Sequence, residues 1–146
     1  MKATFRRVIV MMLVVSTIMC MIVPASAANS NSDVSPAASA YINGVWAEAV
    51  GSDGDVRVNF SISATGTMTS LGASKIQIKD SSDTIVKTFY ASTSGGMTGY
   101  SRSSYSSHVI WYDATPGAKY YAVVYFQATN SSGGDSSTYT TTYTYA

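Results

Sequence analysis

The feature that most constrains this chain is a two-residue alternation. Val56, Val58, Phe60, Ile62 and Ala64 alternate with Arg57, Asn59, Ser61 and Ser63. In a strand, successive side chains point to opposite faces, so this segment must turn one face to a core and the other to water. Burying each large member fully contributes roughly 1.5 to 3 kcal/mol. A slip of one residue would invert the whole set, which fixes the register. Ile76 and Ile78 repeat the pattern between Lys75, Gln77 and Lys79.

The rest of the chain divides around these segments. A first strand is expected over residues 41–50, which include Trp46. Gly51-Ser52-Asp53-Gly54-Asp55 then supplies a turn, because Gly and Asp tolerate left-handed backbone. Residues 56–64 form the second strand, 65–72 a link and 73–79 the third. Asp80-Ser81-Ser82-Asp83 turns the chain into a fourth strand over 84–91, with Ile85, Val86, Phe89 and Tyr90. Residues 92–107, rich in Ser, Gly and Tyr, form the longest irregular segment and the expected binding loop. Strands at 108–112, 120–129 and 136–145 follow, separated by a Pro116-Gly117 turn and a turn over 130–135. Seven short strands with polar turns and no helix signal predict an all-β fold, an antiparallel two-sheet sandwich.

Composition agrees with strands. All 11 tyrosines lie beyond residue 40, and Leu71 is the only leucine there. β-branched and aromatic side chains suit a pleated, half-buried surface, whereas helices favour Leu, Ala and Glu. The final Thr/Tyr strand, with Tyr139, Tyr143 and Tyr145, is expected at a sheet edge that needs a partner.

The first residues have the form of a secretory signal. Lys2, Arg6 and Arg7 precede an apolar run from Val8 to Val23, followed by Pro24-Ala25-Ser26-Ala27, an A-x-A cleavage pattern. Ser16 and Thr17 break the run, which falls short of the ~20 apolar residues of a spanning helix, so removal after Ala27 is expected rather than anchoring. The expected organisation is a signal at 1–27, a flexible leader at 28–39 and one domain at 40–146. Cys20, the only cysteine, lies inside the apolar run, and Thr17-Ile18-Met19 lack the small residue of a lipoprotein signal. The exported domain then holds no disulfide and no sulfur ligand.

Setting aside the three basic residues of the signal leaves six Lys or Arg against eight Asp or Glu. Nucleic acid and anionic membrane, which usually need clustered basic residues, are poor partners for that balance. An extracellular protein or a glycan remains.

Residues 116–124, Pro-Gly-Ala-Lys-Tyr-Tyr-Ala-Val-Val, running on to Ala128-Thr129-Asn130, resemble the penultimate strand of fibronectin type III domains. The resemblance covers about thirty residues from His108 onward. It implies an immunoglobulin-like sandwich in which Tyr120 is a tyrosine-corner residue whose hydroxyl bonds back to nearby backbone. Trp46 lies early and Trp111 late for the inner tryptophan of that family. The mature chain also resembles a group of small uncharacterised secreted proteins of Gram-positive, often gut-dwelling, bacteria. The shared features are Gly66-Thr67-Met68, Leu71-Gly72-Ala73, Met97-Thr98-Gly99-Tyr100 and the Tyr120–Val124 run. That resemblance implies compartment and fold rather than an activity.

Catalytic chemistry finds little support. His108 is the only histidine, and a triad drawn through it, Asp113 and a nearby serine lacks the G-x-S-x-G elbow. Glu48 is the sole glutamate, so the paired carboxylates of glycoside hydrolysis have no clear source. Asp53 and Asp55 flank Gly54 but fall short of the six to eight oxygens that calcium takes. No catalytic residue, metal or cofactor is assigned.

The aromatic residues are the better candidates for recognition. Tyr100, Tyr105 and Tyr112, in or beside the expected loop, are the candidate binding residues. Trp46, Trp111 and Tyr120 are expected as structural residues, and Tyr125 as core. The reading is a secreted, non-catalytic domain, released or loosely wall-associated, that binds outside the cell. A carbohydrate-binding module and a small antagonist or toxin are the alternatives.

Overall fold

The computed structural model describes residues 40–146; the signal and leader expected at 1–39 lie outside them. Seven strands form one antiparallel hydrogen-bonded sheet, with no helix among the described residues. They are β1 (Ile42–Ser52), β2 (Asp55–Asp80), β3 (Ile85–Tyr90), β4 (Thr98–Trp111), β5 (Lys119–Asn130), β6 (Gly133–Thr140) and β7 (Thr144–Tyr145).

β2 organises the rest. Its first half pairs with β1 on one edge and β4 on the other, and its second half pairs with β5 and β3. β6 and β7 extend the sheet beyond β5. The link expected at 65–72 is therefore not a link. Met68, Ser70 and Leu71 pair with Arg102, Tyr100 and Gly99, and the ladder continues to Asp80. Two irregularities make this possible. The register against β4 shifts between Ser63 and Met68, and Ser74 is an extra residue between the Ala73–Phe126 and Lys75–Tyr125 pairs. Each bulge leaves pairing intact on both sides while it bends the strand and changes which residues face inward.

A second correction concerns residues 92–107. From Thr98 onward they are strand, continuous with the expected strand at 108–112, because β2 supplies partners along the length of β4. Gly72 permits the close approach at its start: a Cβ there would lie 2.2 Å from the Met97 carbonyl oxygen. The last expected strand is also divided. Between β6 and β7 the Thr141 hydroxyl accepts from the Ala122 amide at 2.9 Å, so a side chain takes over one ladder bond.

The turns follow their residue chemistry. Asp53 and Gly54 both have positive φ, 50° and 91°, as a two-residue type I′ hairpin requires. At the β2–β3 turn, Asp80 Oδ1 accepts from the amides of Ser82 (2.8 Å) and Thr84 (3.0 Å).

The inward side chains of both halves of β2 join a single hydrophobic core. It contains Val56, Val58, Phe60 and Ile62 from the first half, Leu71, Ile76 and Ile78 from the second, and Val124 and Phe126 from β5. Phe60 meets Phe126 edge-on, centroids 6.2 Å apart. Among the described residues, no buried side-chain nitrogen or oxygen lacks a hydrogen-bond partner.

Trp46 is not part of this core. Ala47 and Ala49 take the inward positions of β1, which leaves the indole outward and 47% exposed. Phe126→Ala is expected to destabilise the domain by about 3–5 kcal/mol through its lost transfer energy and cavity. Val50→Ala, on the outward side of β1, should stay within about 0.5 kcal/mol. Urea denaturation measures both, and equal losses would contradict the placement of the core.

Candidate functional site

The second half of β2 turns Lys75, Gln77 and Lys79 outward, because Ile76 and Ile78 are fully buried between them. Cross-strand register then decides what surrounds each. Lys75 lies between Tyr90 of β3 and Tyr125 of β5, Gln77 between Thr88 and Val123, and Lys79 opposite Tyr121. The Lys75 ammonium stands 3.9 Å above the Tyr125 ring, and the Tyr125 hydroxyl donates to Gln77 Oε1 at 3.0 Å. Further along, Lys79 Nζ is 5.9 Å from the Tyr121 ring, Tyr143 meets Tyr121 edge-on at 5.1 Å, and Lys119 Nζ lies 4.2 Å above Tyr143.

This band joins four rings and three ammonium groups without a basic cluster, since each ammonium sits over a ring face that attracts it. Tyr90 and Tyr143 remain about half exposed. A rigid sheet that presents exposed phenols offers contact area at low entropic cost.

Beside the band, at the Ser74 bulge, lies a cleft of about 240 Å³. Ser70, Gly72 and Ser74 of β2 line it, with Thr98 and Tyr100 of β4 and Gln127 of β5. Ser74 donates its hydroxyl proton to the Tyr125 carbonyl at 3.1 Å. The Tyr100 ring, 67% exposed, stands at the wall.

The three candidate tyrosines do not form one platform. Tyr100 is in the cleft. Tyr105 is half-buried: its hydroxyl donates to the Gly96 carbonyl at 2.7 Å and its ring packs near Phe60, centroids 6.4 Å apart. Tyr112 is exposed just past the far end of β4, roughly 40 Å of strand from Tyr100.

Among the expected structural residues, Tyr120 is buried, its hydroxyl accepts from the Thr115 amide at 3.2 Å, and Trp111 packs edge-on against it at 5.3 Å. Trp46 stands on the outward face opposite Ser61, with Glu48 on the same side of β1. Glu48 was the available signal, because it shares the parity of Trp46. Tyr90 and Lys75 were missed as site residues, since only register reveals that they are neighbours.

His108 is exposed opposite Asn59, whose other neighbour is Glu48, and Asp113 is exposed beyond the end of β4. Among the described residues, no three His, Cys, Asp or Glu gather where they could hold a metal ion. None of those residues forms a helix long and apolar enough to cross a membrane. No protein-family model matches the chain, and no curated protein matches it.

One ionisable group in the band is shifted. The Tyr121 hydroxyl donates to Asp83 Oδ1 at 2.6 Å, and this bond, with burial and the Asp83 charge, pushes its pKa up to about 12 from 10.0. The folded chain therefore holds this proton to higher pH than the unfolded chain does. The resulting stabilisation is whole below pH 10 and is lost as pH rises towards 12. Asp83→Asn removes the charge at a residue with positive φ, a conformation Asn tolerates. In that variant the Tyr121 ionisation, followed by phenolate absorbance, is expected to fall back towards 10; an unmoved titration would refute the assigned cause.

Proposed function

We propose that this chain is an exported, non-catalytic β-sandwich module, immunoglobulin-like or fibronectin type III-like, that binds a protein or glycan outside the cell through the tyrosine–lysine face of β3, β2 and β5. Export rests on the basic, apolar and A-x-A sequence that ends at Ala27. The two-layer reading rests on the single core shared by both halves of β2 and on bonds from β1 and the residue before it to distant strands. The Tyr41 amide donates to Asp135 Oδ2 at 2.7 Å, and the Gly51 amide donates to Thr144 Oγ1 at 2.8 Å. The tyrosine corner at Tyr120 supports the fibronectin-like reading. The non-catalytic reading rests on His108, an exposed strand residue whose register neighbour is an asparagine.

The observation that carries the binding role is the band itself, in which Tyr90 and Tyr143 stay exposed beside lysines already held over rings. Such a face gives specific contact without non-specific attraction to every anion. The mature protein in culture medium is expected to begin at Ala28, which mass spectrometry reads directly. Binding of purified domain to intact Gram-positive cells should weaken tenfold or more in Tyr90→Ala/Tyr143→Ala and stay unchanged in Trp46→Ala. A double variant that binds as well as the parent would remove the face from the argument.

A further inference from the structure

We infer that the cleft beside the Ser74 bulge is a binding site for a single neutral pyranose ring of a saccharide. The inference rests on the binding role proposed above and names its ligand class at one place on that face.

The cleft's size comes first. About 240 Å³ is smaller than the roughly 300–1,000 Å³ of sites for drug-sized ligands, so one sugar ring suits it and a larger ligand would project outside.

Its chemistry narrows the class. Ser70, Ser74 and Thr98 present hydroxyls, and Gln127 presents an amide. A hydroxyl both donates and accepts, and an amide offers both on one end group. A ring of hydroxyls needs such a mixed set, since each of its own groups also does both. Among the described residues no charged side chain lines the cleft, so a charged sugar would gain no ionic partner there for its lost hydration.

Orientation comes from the remaining groups. The Ser74 proton is engaged by the Tyr125 carbonyl, which leaves that oxygen as an acceptor. Gly72 keeps one stretch of the lining free of side chain, because a Cβ there would collide with the Met97 carbonyl oxygen at 2.2 Å. Tyr100 supplies the apolar surface. Its exposed ring, carried on a paired strand, can cover the C–H face of a pyranose while the opposite polar groups take the hydroxyls.

Amide NMR of the mature domain, titrated with methyl glycosides of glucose, galactose and mannose and separately with glucuronate, tests this. At least one neutral glycoside is expected to shift the amides of Ser70, Gly72, Thr98, Tyr100 and Gln127, with a Kd on the order of 1 mM. Tyr100→Ala should weaken that binding tenfold or more and Gln127→Ala about threefold, while Tyr112→Ala, at the far end of β4, leaves it unchanged. Spectra of the free variants establish that each is folded.

Three results would overturn the inference: no shift at these amides with any neutral glycoside, shifts that persist in full in Tyr100→Ala, or a tenfold preference for glucuronate. If intact cells bind the domain through Tyr90 and Tyr143 yet no glycoside moves these amides, the cleft assignment fails and the face reading stands. If the Tyr90→Ala/Tyr143→Ala variant still binds cells while glycosides shift the cleft amides, the face reading fails and the cleft assignment stands.

Discussion

One backbone ladder, that of β2, is shared by every part of this sheet except β6 and β7. Its first half bonds to β1 and β4 and its second half to β5 and β3, so neither set of partners holds its geometry without the strand between them. A strand of 26 residues could not serve both halves if it were straight and of one parity. The bulges solve this locally. Even-numbered residues face the core from Val56 to Ala64, Leu71 and Ala73 face it before Ser74, and Ile76 and Ile78 after it. Ser74 is the extra residue across which the inward positions pass from Leu71 and Ala73 to Ile76 and Ile78, and the polar cleft lies beside it.

The same alternation that builds the core builds the tyrosine–lysine face. With Ile76 and Ile78 fixed inward, Lys75, Gln77 and Lys79 have no other direction, and antiparallel register brings Tyr90, Tyr125 and Tyr121 beside them. Cation–π contacts contribute about half to one kcal/mol each when exposed, too little to decide the fold. They do decide how the face looks to a partner, because they hold flexible lysines over flat rings.

Much of the scaffold was legible in the residues. The alternation from Val56 to Ala64, the Asp53-Gly54 turn and the Asp80–Asp83 turn all depend on short-range pattern, and each is present in the structure; the Tyr120 hydroxyl also bonds to nearby backbone, as the fibronectin type III resemblance implied. What escaped was non-local. Residues 65–72 and 98–107 carry the Gly, Ser and Thr of loops, and they are strand because two long segments supply each other's hydrogen bonds. Partner identity cannot be read from composition on either side. The candidate site divided the same way: Tyr100 could be named from its surroundings in sequence, whereas its cleft is completed by Ser70 and Ser74 of another strand and Gln127 of a third.

The tyrosines show how a domain without cross-links separates scaffold from surface. Tyr105, Tyr120, Tyr121 and Tyr125 each tie a hydroxyl to a fixed partner, at Gly96, Thr115, Asp83 and Gln77 respectively. A ring buried with its polar end bonded contributes packing without an orphaned hydroxyl, so these four strengthen the links between strands. Tyr90, Tyr100 and Tyr143 keep about half or more of their surface in water. Exposed phenols do little to stabilise the domain that carries them. Tyr90 and Tyr100 stand on paired strands, β3 and β4, and Tyr143 packs edge-on against the tied Tyr121; a ring held in this way lowers the entropic cost of recognition. One residue type thus performs both tasks, and the hydrogen bond at the end of each ring determines which.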